Sequence, residues 1–243
     1  MDRALFAAAS GMAAQQRNLE TIADNLANAG VVGFKGSAQH FAELIAPGRG
    51  GFGTVALGAR VFFTQGKLAR SAGPFDVAIE GPGFFTVTDA HGRHFYTRDG
   101  QFSRASDGTL RDGHELRLDG VRIPADALAA TVLADGTVQA TFAKSPAHAV
   151  GRIRLAEFAA PEALHAVDGT HFAAARGSGA VRTISPGGDD GPKLRFGMLE
   201  ESNVTIIEAM MQILTAQRAY EANAKGVQAA DEMLRIANNL QRA

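Results

Sequence analysis

Three features of this 243-residue sequence could do chemistry: its histidines, its carboxylates and one glycine-rich run. Of the seven histidines, His91 and His94 flank one turn, but no third ligand follows at a sensible local spacing. There is no H-E-x-x-H, and Asp189-Asp190-Gly191 lacks the glutamate that an EF-hand loop requires. The histidines therefore read as solvated turn residues, and no metal ligand is assigned. Asp76, Glu80, Asp99 and Glu115 are carboxylates of the type used in acid–base work. Nothing in their spacing makes two of them converge, and Asp before Gly is most simply a turn residue. Gly48-Arg49-Gly50-Gly51-Phe52-Gly53 fits G-x-G-x-x-G, a phosphate cradle only where it joins a strand to a helix. Here a helical turn through Leu44-Ile45-Ala46-Pro47 precedes it and short extended residues follow, so it reads as a loop. G-x-S-x-G is absent, and so is cysteine, which removes thiolate nucleophiles, disulfides and Cys-based metal sites together. No catalytic residue and no cofactor is expected.

Composition narrows the choice further. With 46% hydrophobic and 20% charged residues the chain can build one large core or two small ones. A formal net charge of -1 without a basic run is a poor footprint for nucleic acid. Trp is absent and Tyr occurs twice, so a stacking platform would rest on Phe and Tyr alone. No stretch of eighteen apolar residues suggests membrane insertion. Gln15, Gln16 and Arg17 interrupt the start before an h-region forms, so any export is expected to proceed without a cleaved signal peptide.

Both ends carry a helical period. Leu5, Met12, Leu19 and Leu26 recur every seventh residue, Ala8 and Ile22 follow members of that series by three, and Gln15 interrupts it. Asn28-Ala29-Gly30 supplies a stop, with Gly30 free to take positive φ. Near the other end Ile206, Ile213, Tyr220, Val227 and Leu234 form a second ladder, with Ala209, Ala216, Ala230 and Ala237 at the companion offset and Asn223 in the remaining slot. Thr205 and Glu208 have capping-box spacing, and Glu221/Lys225 and Asp231/Arg235 are i,i+4 pairs in the favourable order. A helix from Thr205 to Leu240 would be about 50 Å long. Between the ends the period is two. Phe84–Thr88 and Arg93–Thr97 read as a hairpin, as do Thr131–Leu133 and Thr137–Ala140, and six Asp-Gly pairs punctuate short strands.

The expected fold is α+β: long N- and C-terminal helices in a discontinuous, coiled-coil-like helical domain, with a β-rich middle. The boundaries read as 1–30 N-terminal helix, 31–74 extended connector, 75–172 β-rich domain, 173–200 connector and 201–243 C-terminal helix. Narrow apolar stripes bury best against other helices, so self-assembly competes with a simpler reading, two core helices packed on the β domain of a monomer. A rival of a different class is a monomeric cell-envelope binding module, which calls for an aromatic-lined groove.

Ile22-Ala23-Asp24-Asn25-Leu26-Ala27-Asn28, then Gly33-Phe34-Lys35 and Phe41, resemble the N-terminal signature of the bacterial flagellar basal-body rod and hook protein family. Leu199–Val204, then Gln217-Arg218-Ala219-Tyr220-Glu221-Ala222-Asn223 and Ala230–Leu234, resemble its C-terminal one. Gln65–Leu68, Asp76–Phe85 and Tyr96–Gly100 are similar to its middle region, and the likeness thins between about 120 and 195. Distal-rod members are most similar, the proximal-rod paralogue next, and hook proteins, usually longer, third. Val31-Val32 before Gly33 and a short segment between Phe41 and Gln65 depart from the distal-rod pattern. The resemblance implies a structural, non-enzymatic subunit that polymerises into a helical shaft transmitting torque from motor to hook. Its implied partners are copies of itself, other rod subunits, hook protein, basal-body ring proteins and the flagellar type III export apparatus. Its implied place is the rod where it spans the periplasm. Ladders and signatures together mark an assembly interface. On the N-terminal side it comprises Leu5, Met12, Leu19, Ile22, Asn25, Leu26, Asn28, Gly33 and Phe34; on the C-terminal side, Ile206, Met210, Ile213, Gln217, Arg218, Tyr220, Val227 and Leu234. A thin stripe offsets little ordering entropy, so the helices are expected to order fully only on joining neighbours.

Overall fold

The computed structural model describes residues 2–43, 53–143, 145–188 and 191–240. Most of the glycine-rich run and the Asp189-Asp190 pair lie outside the described residues, as do the side chains of Leu234 and Ala237. The architecture is α+β, and the chain divides into two compact units. One holds residues 1–27, 37–62 and 204–243, the other 28–36 and 63–203.

The first unit is built on helices α1 (Asp2–Ala27) and α2 (Ile206–Leu240). They run antiparallel: Ile22 packs with Ala209 and Ala216, while Gly11 meets Asn223 and Gly226 faces Ala8 further along. Gly11 has a steric role, since a Cβ there would stand 2.9 Å from the Asn223 amide. The buried column of α2 is the small one, Ala209, Ala216 and Ala230. Ile213 and Val227 of the larger ladder are half-buried, and Ile206 and Tyr220 are exposed. Small side chains let two helix backbones approach closely, which pushes the bulky column to the flank.

A hairpin of Ser37–Glu43 and Thr54–Val61, with a bulge at His40/Phe41, lies along α1. Asn25 fixes it at two points: its Nδ2 donates to the Ser37 carbonyl at 2.6 Å, and its Oδ1 accepts from the Ser37 N–H at 2.9 Å. Further up the helix Thr21 Oγ1 accepts from Gln39 Nε2, and Ser10 Oγ accepts from the Thr54 N–H. Residues 31–74, expected as a connector, thus carry three strands.

The second unit centres on Phe84–Thr88, a strand with buried residues on both faces. It pairs with His94–Thr97, Arg117–Arg122 and Leu155–Glu157. Phe85 points into the main core with Val87, Leu110, Leu118, Ile123, Val138 and Ile153. Phe84 points the other way, its ring edge-on to Phe63 at 5.0 Å. Both hairpins read from the sequence are present. Of the six Asp-Gly aspartates between Asp99 and Asp168, all but Asp119 accept a hydrogen bond from the backbone N–H two residues on, the turn role read for them. Incoming and outgoing segments zip together: Leu68–Arg70 pairs with Met198–Glu200, and Val77–Glu80 with Lys193–Phe196. Residues 173–200, expected as a connector, are thus partly strand because they complete this ribbon.

Candidate functional site

The α2 surface carries the strongest unsatisfied apolar signal. Ile206, Ile207, Met210, Met211 and Leu214 are all exposed, Ile207 at 80%. Positions 207, 211 and 214 fall on one helical face, away from the column of Ala209 and Ala216. The first two and a half turns of α2 are therefore apolar nearly all round, a pattern that calls for a covering partner. Burying one such side chain contributes about 1.5–3 kcal/mol. Further along, Gln217 and Arg218 are exposed and the face turns polar. Leu5, Met12, Leu19 and Leu26 are half-buried on α1, as is Asn28 just beyond it, and Phe6 is exposed.

Four of the residues expected at an assembly interface are used inside the chain instead. Ile22 is covered by Ala209 and Ala216, and Asn25 is spent on Ser37. Gly33 and Phe34 are buried in a strap, 28–36, docked in the β-rich unit. Gly33 takes φ of +69° with the Asp99 backbone 2.4 Å from where a Cβ would sit, so only glycine fits. The positive φ expected at Gly30 falls here instead, since α1 stops at Ala27 and Asn28 to Val31 close a turn first.

The strap is locked by an ion cluster that sequence spacing did not reveal. Lys35 Nζ lies 2.6 Å from Glu200 Oε1, and Arg98 Nη1 lies 3.2 Å from Oε2, all three side chains being buried. Lys35 also donates to the Thr64 carbonyl, the Gly66 N–H donates to Glu200, and Arg98 donates to the Gly81 carbonyl. Burial pushes the Lys35 and Arg98 pKa values down, and the Glu200 carboxylate opposes this for both. Two cations share one carboxylate, so the cluster holds together only while Glu200 is present.

A second polar centre surrounds His171, a histidine that is fully buried rather than solvated. Its Nε2 lies 2.8 Å from Asp112 Oδ2 and its Nδ1 3.0 Å from Asp168 Oδ1. Burial alone would lower its pKa, but the hydrogen bond to Asp112 and the charge of Asp168 outweigh that and raise it. Asp99 nearby is pushed up to about 6 by burial, against the opposing Gln101 N–H. The other carboxylates considered for acid–base work are engaged elsewhere: Asp76 with Ser71, Glu80 with Arg195 and Glu115 with Arg111. A cavity of about 500 Å³ on the β-rich unit is lined by Thr86, His94, Tyr96, Asp119, Arg152 and Arg154 among others. Its lining has one phenyl-type ring, Tyr96, where the aromatic groove of a sugar-binding module calls for several.

Three family models match successive stretches of the chain. The family model for the flagella basal body rod protein matches residues 5–35. That for the flagellar hook protein FlgE/F/G D1 domain matches 78–140, and that for the flagellar basal body rod FlgEFG protein C-terminal region matches 196–240. The chain is 38% identical to the flagellar basal-body rod protein FlgG of Borreliella burgdorferi, over 100% of both chains. It is 34% identical to FlgG of Agrobacterium fabrum, over 96% of this chain and 97% of the relative. Against the flagellar basal-body rod protein FlgF of Caulobacter vibrioides it is 32% identical, over 98% and 97%.

Proposed function

Given that the chain belongs to the flagellar basal-body rod protein family, we propose that it builds the rod by laying the bare apolar face of α2 against neighbouring copies. It is a structural subunit of the flagellar rod and not an enzyme, at home in the basal body among other rod and basal-body components. Among the described residues no helix is long and apolar enough to cross a membrane.

The single observation that carries the assembly mechanism is the exposure of Ile206, Ile207, Met210, Met211 and Leu214 on a helix whose opposite column already holds α1. One face of a subunit then meets a different face of the next, and a rotation and rise that do not close give an open helical filament. In this reading the paired helices are the polymerising, coiled-coil-like element, with Tyr220, Gln217 and Arg218 setting register where the face turns polar. The full-length likeness to FlgG chains supports the distal rod, and that to FlgF keeps the proximal rod as the alternative. Contacts with hook protein and ring proteins, passage through the type III export apparatus without a cleaved signal, and a place in the periplasmic span belong to the same proposal.

The test is the triple substitution Ile207→Glu, Met211→Glu and Leu214→Glu. The expected subunit keeps its circular dichroism and the melting of its β-rich unit, while cells yield basal bodies without a completed rod and do not swim. Normal rods and motility in that strain would refute the mechanism.

A further inference from the structure

We propose that Asp112, His114 and His171 form a binding site for a zinc-type divalent cation in the β-rich unit, with Asp168 orienting His171. One ligand atom from each of the three lies within 4.8 Å of the others. The sequence hides this set because its central pair is 59 residues apart in the chain.

Each residue is positioned by its own local structure. Asp112 opens a turn in which its Oδ1 accepts from the His114 N–H at 2.8 Å and the Leu116 N–H at 3.0 Å. Those bonds fix the carboxylate and aim Oδ2 at His171 Nε2. His171 stands on the strand His171–Ala173, its ring held from the other side by both oxygens of Asp168, at 3.0 and 3.1 Å from Nδ1. A carboxylate behind a metal-binding histidine fixes its tautomer and raises its basicity, the usual support of a ligand imidazole. His114 sits on the same turn as Asp112, its ring edge-on to His171 with centroids 4.8 Å apart.

The burial pattern suits a metal with one open position. His171 and Asp112 are buried, whereas the His114 side chain is 58% exposed, with its Nε2 3.9 Å from Asp168 Oδ2. Two imidazole nitrogens and one carboxylate oxygen, with water in the fourth place, form a borderline-soft donor set that suits Zn²⁺ and not Mg²⁺ or Ca²⁺. On binding, the cation takes the place of the proton shared between His171 Nε2 and Asp112 Oδ2, and that proton leaves to solvent. Asp168 and Asp99 keep the surroundings negative, which favours a dication over the bare proton.

The experiment is calorimetric titration of the untagged full-length chain with zinc chloride, repeated with magnesium chloride, and with cobalt(II) followed by its visible absorbance. Expected are saturable one-to-one zinc binding, a tetrahedral-type cobalt spectrum and no comparable magnesium binding. His114→Ala, at an exposed position that leaves the fold intact by circular dichroism, should weaken zinc binding at least about tenfold, and Asp168→Asn by roughly ten- to a hundredfold. The site is overturned if zinc gives no saturable one-to-one binding, if magnesium binds as tightly, or if His114→Ala binds zinc as the parent does.

Discussion

The largest fully buried side chains of the β-rich unit are Phe85, Phe172, Ile79, Leu110 and Leu118, while the buried column of α2 is alanine and its bulky residues face out. Both units draw on similar apolar residues and place them oppositely. A strand pair buries large side chains between sheet faces within one chain. A helix pair held together by alanine brings backbones close but removes little apolar area from water, leaving isoleucine and methionine for a further layer. Backbone ordering costs about 1–2 kcal/mol per residue, so in the proposed assembly the β-rich unit stands on its own core while the helical unit draws on what covers α2.

The largest effect expected from breaking this contrast lies at Glu200. Glu200→Ala leaves Lys35 and Arg98 buried without their carboxylate and should destabilise the β-rich unit by about 3–5 kcal/mol, read from urea unfolding. The contrast itself is sharpened by hydrogen exchange in dilute monomer, where amides of α1 and α2 should exchange well before those of Phe84–Thr88. Equal protection in both units would show that the helices need no neighbour. Ala216→Leu overfills the contact with Ile22 and should cost roughly 1–3 kcal/mol in the helical unit, leaving the melting of the β-rich unit unchanged.

Next in size is a pH effect. Because Asp99 is raised to about 6 in the folded chain, the folded state holds more protons than the unfolded one between the ordinary carboxylate range and that value. Its contribution to stability is present below that window and lost as pH rises through about 6. Asp99→Asn should therefore gain on the order of 1–2 kcal/mol at neutral pH relative to the parent, and less in acid, in melts run across that range. Smallest in the monomer is Ile207→Ala, within about 0.5 kcal/mol of the parent by thermal melting. The same substitution should weaken subunit association measurably in sedimentation, since the proposed assembly buries a side chain that is exposed in the monomer.

Periods of two and seven gave the two helices, the two hairpins and the turn role of most Asp-Gly pairs, because each depends on contacts within a few residues. Likewise the signatures near Asn25, Gly33 and Gln217 identified the family. Of the residues assigned to an assembly interface, Ile22, Asn25, Gly33 and Phe34 make contacts within the chain. A stripe pattern says that a face is apolar and cannot say which of two adjacent columns is covered. That depends on how closely the helix backbones approach, and Gly11, Ala8 and Gly226 set this jointly from both ends of the chain.

By itself, then, the sequence determined which stretches are helical or extended, where the turns fall and which family the chain resembles, all consequences of local sterics and periodicity. Tertiary structure alone decided the partners of Lys35, Glu200 and Arg98, the burial of His171 between Asp112 and Asp168, and the outward aim of the α2 isoleucines and methionines. Charges and imidazoles carry no mark of their distant partners, because the spacing between them is set by the path of the intervening chain and not by any repeat along it.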